Sequence, residues 1–148
     1  MEAIESVYKH SRDNARTPMQ WNDSKYAGFS TKKPWISVNK NYKTINVENQ
    51  LKDPHSVLNF YKTIIKLKKT SKALIYGTYK LLLPKSKYIF AYERELEGEK
   101  YLVVSNLNSK IVKIPSNSLD FTGELILSNY NENSSVSLAP WECRIYRV

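Results

Sequence analysis

The chain is short of the residues that usually announce a site. Its 148 residues include one cysteine, two histidines and four glycines. A lone Cys143 excludes an internal disulfide framework and a thiolate zinc site. It lies in a strand-like run, where a free thiol is expected to be buried; a reducing compartment is allowed. His10 and His55 have no metal-ligand spacing with each other or with Cys143, so no metal is expected. His10 reads as a loop residue and His55 as a solvated position in the first turn of a helix. With so few glycines, neither a P-loop nor Gly-x-Gly-x-x-Gly occurs, and no Gly-x-Ser-x-Gly elbow marks a serine nucleophile. No cofactor is expected. No apolar run approaches the ~18 residues that cross a bilayer. The opening "MEAIESVYKHSRDN" has acids early and no apolar stretch, so neither a membrane partner nor a secretory leader is expected.

Acids are also scarce. Fourteen Asp and Glu face 23 Lys and Arg, for a formal charge of +9. That excess raises the question of a polyanion partner. The lysines are nevertheless spread along the chain, apart from Lys66, Lys68 and Lys69 at the end of an expected helix, where cations complement the helix dipole. No helix-turn-helix, RNP or glycine-rich basic pattern accompanies them. The reading is a Lys-rich surface with no nucleic-acid partner; weak, salt-sensitive polyanion affinity follows from charge alone.

Enough apolar residues are present, 41%, to build a core. Residues 1 to about 50 are irregular, with a short helix near Ala3 to Lys9 from the spacing of Ile4, Val7 and Tyr8, then turn residues throughout. In "KDPHSVLNFYKTIIKLKKT", Asp53 reads as an N-cap and Pro54 as the first helical position. Val57, Leu58, Tyr61, Ile64, Ile65 and the stem of Lys68 then recur at helical spacing, widened by Phe60 and Leu67. A helix over about 54–70 is expected, with an apolar face that needs a partner surface. From Leu74 the period changes to 2. "LIYGTYKLLL", "YIFAYERE", "KYLVVSNLN", "KIVKIP", "GELILSN", "SVSLAP" and "ECRIYRV" read as seven short strands, with a hairpin turn at residues 97–100. Such a run argues an antiparallel sandwich or barrel, and the shift near residue 72 marks a boundary. The class is α+β. Asp13, Asp23, Glu48 and Asp53 stand in no acid/base frame, so no catalytic residue is assigned.

One stretch resists these bland readings. "SRDNARTPMQW", Ser11 to Trp21, sets two arginines, an aspartate and an asparagine beside a large apolar anchor. Together with "AGFS", "KPWISVN", "NYKTINVENQ", "DPHSVLNFYKTIIKLKK", "YGTYKLL" and "LAPWECRIY", it resembles the C-terminal part of the oligo-1,6-glucosidases and α-glucosidases of glycoside hydrolase family 13, in the α-amylase superfamily. The resemblance runs from Ser11 to Val148. It implies that residues 1–72 are the end of a catalytic (β/α)₈ barrel, comprising the loop after strand 8 and the last helix. Residues 73–148 would then be a small all-β antiparallel sandwich, the C-terminal domain.

The resemblance also assigns roles. Arg12 would bind hydroxyls of the non-reducing glucose, where a planar guanidinium offers several fixed donors. Asp13 and Arg16 would be a supporting ion-pair layer. Trp21, with Pro18 and Met19, would pack the loop onto the barrel; Trp35 would be a further packing anchor, and Trp141 part of the sandwich core or a domain interface. The family cleaves with retention, using two carboxylates roughly 5 Å apart and a third that stabilises the distorted sugar. Those residues are implied to lie upstream, in a barrel of about 250 residues. The expectation is therefore that this polypeptide alone is inactive. Its parent would be a cytoplasmic enzyme acting on α-1,6 or α-1,4 gluco-oligosaccharides, and self-association through the 54–70 helix face is possible. A stand-alone carbohydrate-binding module, with Trp35 or Tyr76, Tyr79, Tyr88 and Tyr92 as a sugar platform, stays open as the second reading.

Overall fold

A computed structural model describes the backbone of residues 2–148 and the side chains of all of these except 2, 3, 8 and 9. Tyr8, in the apolar ladder expected near the N-terminus, therefore falls outside the described side chains. The chain forms two compact units, residues 1–63 and 64–148.

The first unit contains helices and turns but no strand among its described residues. Helix α1 spans Glu2–His10 and α2 spans Val47–Lys52. Helix α2 was not legible as a helix in the sequence. It forms because Asn46 is an N-cap fixed from both sides. Its Oδ1 accepts from the Asn49 N–H at 2.8 Å, and its Nδ2 donates to the Tyr42 carbonyl at 2.9 Å. A Glu48–Lys52 pair one turn apart adds a few tenths of a kcal/mol, roughly.

Helix α3 spans Val57–Thr70, three residues shorter at its start than Asp53 and Pro54 imply. The cap is Ser56. Its Oγ accepts from the Asn59 N–H at 3.2 Å and donates to the Gln50 carbonyl at 2.6 Å, so one buried hydroxyl both starts α3 and satisfies the end of α2. Asp53 instead closes a turn, accepting from the His55 N–H at 2.9 Å. Along α3, Leu58, Phe60, Ile64 and Leu67 are half-buried, whereas Val57, Tyr61 and Ile65, four residues apart, form an exposed apolar stripe.

The second unit is built on an antiparallel sheet of five strands in the order β1-β2-β3-β7-β5, with a separate ribbon β4–β6. The strands are β1 Thr78–Leu82, β2 Ile89–Leu96, β3 Glu99–Asn106, β4 Val112–Lys113, β5 Glu124–Ser128, β6 Ser137–Leu138 and β7 Cys143–Arg147. Seven strands match the seven alternating segments. The two layers are unequal, however, because β4 and β6 have two residues each. The first segment also divides: Lys72–Tyr76 is helix α4, and strand begins only at Thr78. Ser71 caps α4, its Oγ accepting from the Leu74 N–H at 3.2 Å. Gly77 then lets the chain turn where a Cβ would meet the Ala73 carbonyl oxygen at 2.4 Å. Between β2 and β3, Glu97 and Gly98 both take positive φ, 52° and 84°, the signature of a two-residue type I′ hairpin.

Alternation along the strands separates two cores. Ile89, Ala91 and Val104 face the ribbon and pack with Ile114 and Leu138. Tyr101, Val103 and Ile145 face the other way and pack with Ala73, Leu67 and Leu74. The ribbon side also buries charge. Glu142 and Arg144 are each 1% exposed and pair at 2.6 Å. Arg144 also donates to the carbonyls of Ser134 at 2.6 Å and Ser137 at 2.8 Å, while Glu142 accepts from the Ala139 N–H at 2.6 Å. Burial works against the Arg144 cation, but hydrogen bonds to Glu142 and Tyr146 outweigh it and raise its pKa. Asn106 braces the same region, donating to the carbonyls of Lys110 and Ala139. Cys143 is half-buried; burial pushes its thiol pKa up, and its sulfur accepts from Ser105 Oγ at 3.2 Å. Trp141 lies outside the core, exposed, with φ 58°.

Candidate functional site: the Arg12 turn

Arg12 opens a single 3₁₀ turn, Arg12–Ala15, directly after α1. The turn is stapled by its own sequence. Ser11 Oγ accepts from the Asp13 N–H at 3.2 Å, the Ser11 carbonyl accepts from the Asn14 N–H at 3.2 Å, and the Asp13 carbonyl accepts from the Arg16 N–H at 3.1 Å. The Asp13 carboxylate then pairs with the Arg16 guanidinium, three residues on. These local bonds explain why Ser, Asp and Arg stand at those offsets. Ser and Asp hydrogen-bond nearby backbone in a turn better than in a helix interior. Arg12 is exposed, and its guanidinium has no ion-pair partner among the described residues.

Arg16 has a second neighbour. Its Cζ lies 5.7 Å from the centroid of the Trp35 ring. Trp35, expected as a packing anchor, is 84% exposed, and within this chain its ring meets Arg16. A cation at this distance is attracted by the ring quadrupole. The link between residues 16 and 35 is not visible as a motif, because nothing in the sequence couples positions so far apart.

The apolar end of the stretch is held by backbone. Pro18 is buried, while Met19 is exposed and the Trp21 side chain is 50% exposed. The Trp21 N–H donates to the Ala27 carbonyl at 2.9 Å, and its carbonyl accepts from the Glu48 N–H at 3.0 Å. The Gln20 carbonyl accepts from the Val47 N–H at 2.9 Å, and Gln20 Nε2 donates to the Ile45 carbonyl. Residues 20–21 are thus sewn to the first turn of α2. Tyr26, Ala27 and Gly28 are consecutive residues of positive φ. For the first two this costs roughly 1–2 kcal/mol each, strain that surrounding structure must hold. Asn22 fills the space beneath Gly28, where a Cβ would meet its Oδ1 at 2.7 Å.

His10 ends α1 rather than standing in a loop, its Nδ1 lying 3.1 Å from the Ser6 carbonyl, and His55 is exposed. Among the described residues no three His, Cys, Asp or Glu converge on a point, and no helix is long and apolar enough to cross a membrane. What the site offers is one planar set of donors, outside any ion pair among the described residues, on a stapled turn. That suits adjacent hydroxyls or a carboxylate.

Residues 1–77 match the family model "Alpha amylase, catalytic domain". The chain is 44% identical to an oligo-1,6-glucosidase of Parageobacillus thermoglucosidasius, over 99% of this chain and 27% of that protein. It is 44% identical to a probable oligo-1,6-glucosidase of Bacillus subtilis, over 98% of this chain and 27% of that one. Among solved structures, it superposes on the trehalulose synthase MutB of Pseudomonas mesoacidophila with a TM-score of 0.85 at 36% identity, over 99% of this chain and 27% of that chain. On the Bacillus licheniformis trehalose-6-phosphate hydrolase the TM-score is 0.86 at 35% identity, over 99% and 28%. The chain therefore spans about a quarter of the length of these relatives. It belongs to the α-amylase family, glycoside hydrolase family 13, and corresponds to the C-terminal part of its oligo-1,6-glucosidases.

Proposed function

We propose that this chain is the substrate-gripping and structural end of a retaining α-glucosidase acting on short α-gluco-oligosaccharides, linked α-1,6 or α-1,4, in the cytoplasm. Residues 1–72 complete the catalytic barrel, with the loop after strand 8 and its last helix, and residues 73–148 form the C-terminal β-sandwich domain. Arg12 donates to hydroxyls of the non-reducing glucose. Asp13 and Arg16 hold its turn in shape, and Trp21 anchors the loop. The bond-breaking carboxylates belong to the barrel strands. In a retaining enzyme the two stand roughly 5 Å apart across the scissile bond, and Asp13, the carboxylate nearest Arg12 in sequence, is occupied by Arg16.

The observation that carries this reading is an exposed Arg12 without an ionic partner among the described residues, on a turn whose Asp13 is already paired with Arg16. The test replaces the matching quarter of the Parageobacillus oligo-1,6-glucosidase with residues 1–148 and assays glucose release from isomaltose. Arg12→Ala removes charged hydrogen bonds worth about 1.5–3 kcal/mol each, so two of them predict a loss of at least about 100-fold in kcat/KM. An active chimera indifferent to Arg12→Ala refutes the assignment. The 148-residue chain assayed by itself is expected to release no glucose.

A further inference from the structure

We propose that Trp35 is a positioning residue for the sugar-binding arginine, acting through Arg16. The inference rests on the role of Arg12 proposed above and deepens it. Four observations within residues 1–63 carry it. The Arg12–Ala15 turn is closed at its far end by Arg16, whose N–H donates to the Asp13 carbonyl at 3.1 Å. The Arg16 guanidinium is shared between the Asp13 carboxylate and the face of the Trp35 indole, 5.7 Å from its centroid. Among the described residues Trp35 is the most exposed large apolar residue, at 84%, and the Arg16 guanidinium lies over its ring. Pro34 precedes it and fixes the local backbone.

The physical argument runs from these contacts. Asp13 and Arg16 alone form an exposed ion pair, of the kind that contributes little and samples many geometries. A planar guanidinium that also stacks on an aromatic face loses that freedom. The ring therefore converts a loose surface pair into a strut between residue 35 and the turn. The turn carries Arg12, and the accuracy with which Arg12 presents its donors depends on how little the turn moves. Trp35 touches no substrate in this scheme. Loosening it spreads the positions of Arg12 in the free enzyme, which weakens substrate capture. The chemical step on substrate already held changes less.

The test has two arms. In the 148-residue chain, NMR reads the Arg16 side-chain protons: stacking predicts upfield ring-current shifts that Trp35→Leu abolishes and Trp35→Phe retains in part. In the active chimera, Trp35→Leu is expected to raise KM for isomaltose about two- to five-fold, the equivalent of one exposed cation–π contact, with kcat changed less than two-fold, roughly, on the same scale. Trp35→Phe should restore most of the KM. Because the effect passes through Arg12, Trp35→Leu should add nothing to KM in an Arg12→Ala background. Absent ring-current shifts, an equal effect in both backgrounds, or a fall confined to kcat overturns the proposal. If Arg12→Ala itself leaves kcat/KM unchanged, the proposed role of Arg12 fails first and this inference falls with it.

Discussion

Removing Arg144 should be the most damaging single change in the β domain, and by a margin that the structure sets. Its guanidinium is 1% exposed. It pairs with Glu142 at 2.6 Å and donates to the carbonyls of Ser134 and Ser137. Arg144→Leu keeps much of the volume but leaves the Glu142 carboxylate buried, with the Ala139 N–H as its remaining donor. Two carbonyls lose their partner as well. Breaking a buried pair from one side costs about 3–5 kcal/mol, a large share of the roughly 5–15 kcal/mol that stabilises an ordinary domain. The charge serves a purpose that an apolar pair would not. Strand β6 is two residues long and pairs only with β4, itself two residues long. So short a ribbon does not fix its own register, and Arg144 ties both ends of the 134–137 segment to β7.

The assay is urea unfolding followed by the fluorescence of Trp141, which adjoins the pair, in a Trp21→Phe, Trp35→Phe background. Arg144→Leu is expected to lose about 3–5 kcal/mol. The double variant Glu142→Leu, Arg144→Leu should recover about 1–3 kcal/mol of that loss, because no uncompensated charge stays inside. A single variant that costs less than about 1 kcal/mol, the scale of an exposed ion pair, refutes the reasoning. So does a double variant no better than the single one.

Alkaline pH should loosen the same domain. Burial raises the pKa of Tyr92 and Tyr101 above 10.0 and that of Cys143 above 9.0, with the Glu99 hydrogen bond as a second cause at Tyr101. The unfolded chain then loses these protons first, so the stabilisation is complete below about pH 9 and is lost as pH rises through the folded values. The urea midpoint should fall as pH rises above 9, and Cys143 should alkylate slowly at pH 8. Glu97→Asn should raise stability by about 0.5–1 kcal/mol, since Asn tolerates the positive φ of Glu97 in the type I′ turn; an unchanged or lower urea midpoint counts against that turn. The exposed stripe Val57, Tyr61 and Ile65 on α3 should drive self-association of the 148-residue chain. Light scattering should show a smaller particle for Tyr61→Lys, Ile65→Lys, and equal masses would remove the stripe from consideration.

How much of this the sequence carries depends on whether a feature is local. The Arg12 turn is legible because its staples lie within a few residues: Ser11, Asp13, Asn14 and Arg16 satisfy one another. The antiparallel strands are legible because alternation repeats along each of them. Helix α4 misleads, because Leu74, Ile75 and Tyr76 favour a strand by type. The Ser71 cap and the burial of Ala73 against Tyr101 and Val103 override that preference. Helix α3 starts late for a similar reason. Asp53-Pro54 is a sound cap on its own, but Ser56 also donates to the Gln50 carbonyl of α2. Where two signals compete, the one that satisfies a buried group elsewhere prevails.

The same rule accounts for what the sequence hides in the candidate site and beneath it. The partners of Arg144 are backbone carbonyls, which have no residue identity, so "ECRIYRV" reads as a strand while its inward charges break the expected apolar pattern. That break was itself a signal: a Glu and an Arg two apart in an extended run share a side, and burying one requires burying the other. Trp35 is concealed by the opposite circumstance. Its contact is made on the surface between segments distant in sequence, and a tryptophan flanked by Pro34 and Ile36 reads as an anchor by default. Within this chain the ring meets the Arg16 guanidinium, a partner that its own flanking residues do not announce. The turn that carries Arg12 is therefore readable in its local staples and unreadable in the Arg16–Trp35 contact that reaches it from a distant segment.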